Sequence, residues 1–161
     1  VAQTGILMIK RTNGNTETSY SFGIGSNGSN PNKPYWTVFN GPVGKDSIVG
    51  LQAFSIGEPF HLAATLSGSD PRTLGLYVNG VAQVPTTTTT GPYTAGVASF
   101  LYFMSGVASE RFVGRALPAA VYNKVLSDAR ILVHAQAALT DLKTEIRLGS
   151  SWGGLSLVRD R

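Results

Sequence analysis

The acidic side chains are the residues of this sequence that could perform hydrolytic chemistry. Glycoside hydrolysis needs two carboxyl groups about 5–9.5 Å apart, one as acid and one as nucleophile or base. On one strand such groups stand two residues apart, because alternate side chains share a face. None of the nine has such a neighbour: Glu17, Asp46, Glu58, Asp70, Glu110, Asp128, Asp141, Glu145 and Asp160. The sequence therefore predicts no catalytic residue, and a pair assembled from different strands is the alternative.

The two histidines, His61 and His134, are the other candidates for acid–base chemistry. Histidine exchanges its proton near neutral pH and also binds metals. We expect His61 to be a half-buried residue of a strand. We expect His134 to be solvated, on a helix and opposite its apolar stripe. Structural roles are therefore predicted for both.

Aromatic residues could bind a glycan if they are exposed beside amide or carboxylate groups. Tyr35 and Trp36, with Asn40 nearby, are the ligand-binding candidates. The alternative for Trp36 is a place in the core. Trp152 lies in a tail without regular patterning, and we expect it to dock into a partner, since Trp is favoured at interface hot spots.

Composition limits the class of protein. The 161 residues suit one domain. Charged residues make up only 14%, against roughly 25% in average soluble domains, which suggests a surface partly covered by sister subunits. The net charge of +4 comes from scattered basic residues, so nucleic-acid binding is not expected. Cysteine is absent, and no apolar run reaches the roughly 18 residues of a membrane span. The chain begins at Val1, and we expect a processed product or an excised piece.

Short alternating segments separated by turn residues predict antiparallel strands. Asn79-Gly80 predicts a type I′ hairpin, because both residues tolerate the positive φ that this turn needs. For Thr86–Thr90, bracketed by Pro85 and Pro92, a loop is favoured over an edge strand. The predicted strands are 5–10, 19–24, 35–39, 48–54, 60–66, 74–78, 81–84, 97–104 and 112–122.

One helix is predicted at 127–148, after a sandwich domain at 1–126 and before a tail or arm at 149–161. Ser127 is a good N-cap and Gly149 a good C′ stop. Apolar residues recur at three- and four-residue steps. This stripe either caps the sandwich or contacts a neighbouring subunit. The partner-binding candidates are Leu139, Leu142, Ile146 and Trp152.

Three segments resemble the concanavalin A-like, laminin G-like family in the order that the family has them. They are Phe60–Leu66 (FHLAATL), Leu76–Gly80 (LYVNG), and Phe112–Arg115 (FVGR) followed by Val121–Ser127 (VYNKVLS). The resemblance implies an all-β fold, a two-sheet antiparallel jelly-roll sandwich, here with one C-terminal helix. It also implies that calcium could be held at a loop rim. No cofactor is predicted, with calcium at Asp46, Asp70 and Asn79 as the alternative, although Asp and Asn are also ordinary turn residues.

The functional prediction is a non-catalytic structural and recognition module, from a bacteriophage virion surface or tail. Its expected partners are further copies of the chain, other structural proteins or surface polysaccharide. The alternative is a secreted, lectin-like carbohydrate-binding domain, and a glycoside hydrolase is the third hypothesis. The expected location is the virion or the extracellular space.

Overall fold

The computed structural model describes residues 5–11, 18–25, 32–39, 45–55, 57–68, 72–83, 87–89, 100–103 and 119–151. These residues form two antiparallel sheets and one C-terminal helix. The all-β sandwich predicted from the sequence is therefore confirmed. The elements are β1 (Gly5–Arg11), β2 (Thr18–Ile24), β3 (Pro34–Phe39), β4 (Lys45–Val49), β5 (Leu62–Ser67), β6 (Arg72–Val78), β7 (Val81–Ala82), β8 (Thr87–Thr89), β9 (Phe100–Phe103) and α1 (Asp128–Ser151).

The first sheet has five strands in the order β4-β3-β2-β1-β9. Its register places Phe22 opposite Trp36, and Trp36 opposite Ile48. All three side chains are buried. Because side chains alternate along each strand, the residues between them point to the other face of the sheet.

The second sheet pairs β5 with β6, and β7 and β8 both lie along the other edge of β6. Asn79 and Gly80 have φ values of 52° and 82°, so the hairpin predicted there is confirmed. The loop prediction for Thr86–Thr90 is wrong at its centre, because Thr87–Thr89 is a strand paired with β6. Threonine suits strands, and the open edge of β6 supplies its hydrogen-bond partners.

The core lies between the sheets. One cluster joins residues from both: Phe22, Trp36, Val38, Ile48, Leu74 and Leu76. Complete burial of such apolar side chains stabilises a fold by roughly 1.5–3 kcal/mol each. This contact makes the two sheets a single folded unit.

Strand β4 differs from its prediction. The segment 48–54 was predicted as a strand, whereas β4 ends at Val49 and the chain then leaves the sheet. Gly50 lies so close to β3 that a Cβ atom added to it would be 2.5 Å from Pro34 Cγ. The Leu51 amide then donates to Gln83 Oε1 at 3.1 Å, so the loop is tied to the second sheet.

The prediction of a strand at 112–122 is wrong for residues 119–122, which form no strand. Residues 112–118 lie outside the described residues. The predicted strand at 97–104 contains β9.

Helix α1 begins as predicted, with the Ser127 hydroxyl accepting a hydrogen bond from the Arg130 amide at 3.4 Å. It ends at Ser151 and therefore passes through Gly149, which is not its C′ residue. A single glycine costs a helix only about 1 kcal/mol relative to alanine and need not end it. Within the part of the chain that the structure describes, no helix has the length and apolarity that a membrane crossing requires.

Candidate functional site

The face of the first sheet that is turned away from the core cluster carries a row of hydroxyl groups. Ser21 is paired with Thr37, and Thr37 with Ser47, across strands β2, β3 and β4. Tyr35 stands on the same face, two residues before Thr37. We call these four residues, Ser21, Tyr35, Thr37 and Ser47, the hydroxyl face.

Hydrogen bonds organise the hydroxyl face. Ser21 Oγ and the Tyr35 hydroxyl lie 3.0 Å apart, and Thr37 Oγ1 and Ser47 Oγ lie 2.7 Å apart. In each pair either oxygen can be the donor. Ser21 and Thr37 are only 7% and 6% exposed, whereas Ser47 is exposed and Tyr35 is half-buried. The more accessible members of the hydroxyl face are therefore Tyr35, an aromatic ring with a hydroxyl tip, and Ser47.

Trp36, predicted as a ligand-binding residue, lies on the opposite face and is corrected to a core residue. It is 5% exposed. Its ring packs against Tyr20 at 5.5 Å and edge-on against Phe22 at 6.0 Å between centroids. Trp36 alternates with Tyr35, so only one of these neighbours can face solvent. The third predicted ligand residue, Asn40, lies outside the described residues.

The carboxylates that the structure describes do not form a facing pair. Asp46 points into the sandwich and binds Arg72 at 2.6 Å. Glu58 is exposed in the loop beyond the far end of β4. Asp128 accepts a hydrogen bond from the Tyr77 hydroxyl at 2.8 Å, and Asp141 is exposed more than three turns further along α1. The geometry that glycoside hydrolysis requires is not found among these four.

A serine-hydrolase pattern, Gly-x-Ser-x-Gly, occurs in the letters of residues 149–153. In hydrolases that serine stands on a tight turn between a strand and the following helix. Here Ser151 is the last residue of α1. The structural context that would make this serine a nucleophile is therefore missing.

The calcium candidates do not converge. Asp46 bonds to Arg72, at the start of β6, whereas Asn79 follows the end of that strand. Seven strand residues span roughly 23 Å, so these two side chains cannot share an ion. The Asn79 side-chain oxygen already accepts a hydrogen bond from the His61 amide at 2.8 Å. Within the described ranges, no three histidine, cysteine, aspartate or glutamate side chains are grouped so that they could hold a metal ion. Asp70 lies outside them.

The predicted partner-binding residues lie along and beyond the second half of α1. Leu139 is partly buried. The side chains of Leu142 and Ile146, and all of Trp152, lie outside the described residues. Nearer the start of α1, Ile131 and Ala135 are 2% and 0% exposed, so this part of the stripe packs on the sandwich.

The predictions for the two histidines have different outcomes. His61 is half-buried as predicted, but it directly precedes β5 and is not part of the strand. The prediction that His134 is solvated is wrong, because it is partly buried and its ring meets the Tyr122 ring edge-on at 5.9 Å. Positions 131, 134 and 135 share one helix face at three- and four-residue spacing, and this spacing could have placed His134 correctly.

A laminin G family model, described as the concanavalin A-like lectin/glucanases superfamily, matches residues 1–132. A similar solved structure is the 2.1 Å crystal structure of residues 221–444 of an S-layer domain-containing protein from Clostridium thermocellum ATCC 27405. The two chains are 21% identical with a TM-score of 0.37, and the match covers 84% of this chain and 65% of that chain. No curated protein matches this chain.

Proposed function

Because the chain belongs to the concanavalin A-like lectin/glucanases superfamily, we propose that it is a non-catalytic module that binds carbohydrate through the hydroxyl face. Membership suggests a carbohydrate-binding or recognition module. The observation that supports this site is the half-buried Tyr35, whose hydroxyl is hydrogen-bonded to that of Ser21 at 3.0 Å on the sheet face turned away from the core.

Sugar chemistry fits the hydroxyl face. A sugar ring offers an apolar face of C–H groups and a rim of hydroxyl groups. A tyrosine ring can contact the apolar face while its hydroxyl remains a hydrogen-bonding group. Serine and threonine hydroxyls both donate and accept, so they match sugar hydroxyls in either direction. The four side chains carry no charge, and we therefore infer an uncharged portion of a glycan as the ligand.

Glycan binding by the purified chain tests this proposal. We expect selected glycans on an array to bind, and Tyr35→Ala to weaken binding by about tenfold or more, since a contact aromatic is often worth above 1.4 kcal/mol. Tyr35→Phe keeps the ring and should retain most of the binding. Tyr122→Ala, which removes an exposed tyrosine elsewhere, is the matched control and should bind normally. If the unaltered chain binds no glycan with or without calcium, or if Tyr35→Ala binds normally, the proposal is wrong.

Hydrolysis is the competing function, since the superfamily includes glucanases. The described carboxylates argue against it, because Asp46 is held by Arg72 and Glu58 lies in an exposed loop. Incubation with laminarin and agarose decides between the two functions. Release of oligosaccharides that is lost in Glu17→Gln, Glu58→Gln or Glu110→Gln would establish an enzyme.

A more specific proposal concerns the particle or protein to which the module belongs. We propose a bacteriophage virion surface or tail, with copies of the chain or other structural proteins as partners, and a secreted lectin-like domain as the alternative. The low charge of 14% and the exposed Leu132 and Val133 on α1, at 39% and 56%, support contact with partners. Native mass spectrometry at micromolar concentration tests self-association, and a clean monomer would contradict it. Tail or capsid genes beside the coding sequence would favour the virion.

A further inference from the structure

Strand β5 is an edge of the second sheet that lacks the usual protection against pairing with another chain. Within the described part of the chain, β5 pairs with β6 alone. Proteins protect such edges with charged residues, prolines or bulges. The segment Leu62–Ser67 (LAATLS) has no charge and no proline, and its register with β6 is regular over its whole length. By contrast β4, an edge strand of the first sheet, contains Lys45 and Asp46. The edge of β5 can therefore pair with a further strand.

The backbone groups of alternate β5 residues point to this edge. Just before β5, the His61 carbonyl accepts a hydrogen bond from the Asn79 amide at 2.8 Å. Hydrogen-bonded and non-hydrogen-bonded positions alternate along an antiparallel pair, so every second residue after His61 bonds to β6 and the others do not. The Leu76 carbonyl, opposite Ala64, accordingly accepts from the Gln83 amide at 2.7 Å, on the side of β6 away from β5. The residues whose amides and carbonyls face the open edge are Leu62, Ala64 and Leu66.

The first sheet extends beyond this edge. Strand β8 packs on β4, and β6 packs on β3 and β4. Strand β5, on the other side of β6 from β8, therefore lies towards the middle of the first sheet, and β1 and β9 lie further out. Met8 packs against the core cluster. Lys10 shares its face by alternation, and Leu101 is paired with Lys10. Leu101 is thus on the inner face of the first sheet, yet it is 40% exposed.

Burial on the inner faces decreases from β6 towards β9. On β6, Leu74 and Leu76 are 0% and 1% exposed. The inner side chains of β5 contact the core but are only partly buried, as is Met8. A strand added beside β5 would lie about 4.8 Å from it. Such a strand would bond to the open edge and would cover Met8 and Leu101 at the same time.

From these observations we propose that the chain binds one additional β-strand, supplied by another polypeptide, between the edge of β5 and the inner face of β1 and β9. We call this place the strand slot, and define it by the backbone of Leu62, Ala64 and Leu66 and the side chains of Met8 and Leu101. The bound segment is extended, with apolar side chains at every second position, because alternate side chains face the inner surface.

The strand slot is independent of the hydroxyl face, which lies on the opposite side of the first sheet. Loss of glycan binding in the earlier experiment would therefore leave this inference unaffected. Failure of the strand slot would equally leave the glycan proposal in place.

A whole second copy does not fit the strand slot by pairing β5 with β5. Two identical antiparallel edges pair about a two-fold axis perpendicular to the sheet, which keeps corresponding sheets of the two copies in one layer. The overhanging strands β1 and β9 of both copies would then occupy the same space. A single extended segment has no second layer and avoids this overlap. The occupant is therefore one strand and not the edge of another sandwich.

Peptide selection supplies the probe. Random peptides about ten residues long, the upper range of a natural strand, are displayed and selected on the immobilised chain. We expect the selected peptides to have apolar residues at every second position and to bind saturably in fluorescence anisotropy. Methylating the backbone nitrogens along the peptide edge that meets β5 should weaken binding about tenfold or more, because it removes several hydrogen bonds. Methylation along the other edge is the matched control and should have little effect.

Two variants of the chain locate the bound peptide. Leu101→Gln removes apolar surface from the strand slot and should weaken binding severalfold. Leu51→Gln, the same change at a loop leucine that is 60% exposed, is the matched control and should bind normally. Ala64→Pro removes the amide at the open edge while the bonds from β5 to β6 can remain, and should also weaken binding. If Ala64→Pro does not fold, Leu101→Gln and the methylated peptides still decide.

Amide hydrogen exchange distinguishes the possible occupants. In the free chain, the β5 amides at the open edge should exchange faster than those of Ala63 and Thr65, and bound peptide should protect them. Protection of these amides in a free monomer would mean that the chain itself fills the strand slot. Protection in a dimer that Leu101→Gln dissociates would mean that a second copy fills it. Either result overturns the proposal, as does a selection that yields no peptide, or binding that Leu101→Gln and edge methylation leave unchanged.

Discussion

Arg72 on β6 and Asp46 on β4 form an ion pair that joins the two sheets, with an N–O distance of 2.6 Å. The Arg72 side chain is fully buried and Asp46 is 12% exposed. Burying a charge is costly, and losing one partner of a buried pair is strongly destabilising because the other charge stays away from water without a counter-ion. The packing of β4 on β6 therefore depends on both residues being present.

Breaking this pair should destabilise the fold strongly. We expect Asp46→Ala to lower the free energy of unfolding by about 3–5 kcal/mol, because Arg72 would keep a buried charge without its carboxylate. The double variant Asp46→Leu, Arg72→Met should be less destabilised than Asp46→Ala alone, since it buries no charge. Urea denaturation measures both. A loss below about 1 kcal/mol in Asp46→Ala would mean that the pair behaves as a surface ion pair.

Gly80 is needed both for its backbone conformation and for helix packing. Gly80→Ala should be destabilising through a positive φ of 82° and through a Cβ placed 2.7 Å from Leu132 Cδ1. Gly57→Ala is the matched control, because Gly57 has a φ of 87° but nothing within 4 Å of the added Cβ. We expect Gly80→Ala to lose about 1–3 kcal/mol more than Gly57→Ala. If thermal unfolding shows equal losses of stability in the two variants, α1 is not tightly packed against the hairpin.

The hydroxyl of Tyr77 ties β6 to the start of α1 through its 2.8 Å bond to Asp128. Tyr77→Phe should lower stability at pH 8 by about 1 kcal/mol, as for an ordinary hydrogen bond. Burial first, and then the bond to Asp128, raise the pKa of Tyr77 above its ordinary value of 10.0. The neutral phenol therefore contributes full stability below pH 10, and this contribution is lost as the pH rises through the raised pKa. Unfolding curves at pH 8 and pH 11 should show the gap to Tyr77→Phe shrinking, whereas Tyr122→Phe should show no such gap.

Trp36 should report on the core and not on a ligand. In Trp152→Phe, Trp36 is the one tryptophan left of two, and its 5% exposure predicts blue-shifted emission with little quenching by acrylamide. Added glycan should leave this emission almost unchanged. Emission typical of a solvated indole, or strong quenching by the ligand, would contradict the position of Trp36 between the sheets.

Local chemistry was sufficient for several elements. Asn79-Gly80 predicts its turn because few other residue pairs adopt positive φ twice. Ser127 predicts the start of α1 because its hydroxyl can bond to the free amides of the first turn. The Gly149 prediction failed because a glycine favours a helix end without requiring one. Thr87–Thr89 forms a strand because pairing with the free edge of β6 outweighed the loop preference of the flanking prolines.

The candidate sites depend on contacts between distant segments. Ser21, Thr37 and Ser47 are ordinary residues in the sequence, and only the register of three strands aligns their hydroxyls. Trp36 and Tyr35 were predicted together, although alternation places them on opposite faces, and burial between two sheets decided which face is the core. Gly80 and Leu132 are far apart in the sequence and lie together because α1 docks beside the hairpin.

By itself, the sequence determined the sandwich, most of the described strands and helix α1, since these follow from alternation, turn residues and an N-cap acting over a few residues. Only the tertiary structure decided which residues share the hydroxyl face, that Asp46 pairs with Arg72, and that α1 lies against the Asn79-Gly80 hairpin. Sheet register, sheet packing and helix docking arise from many weak contacts between residues that are distant in the sequence. No short segment contains the information on all of these contacts.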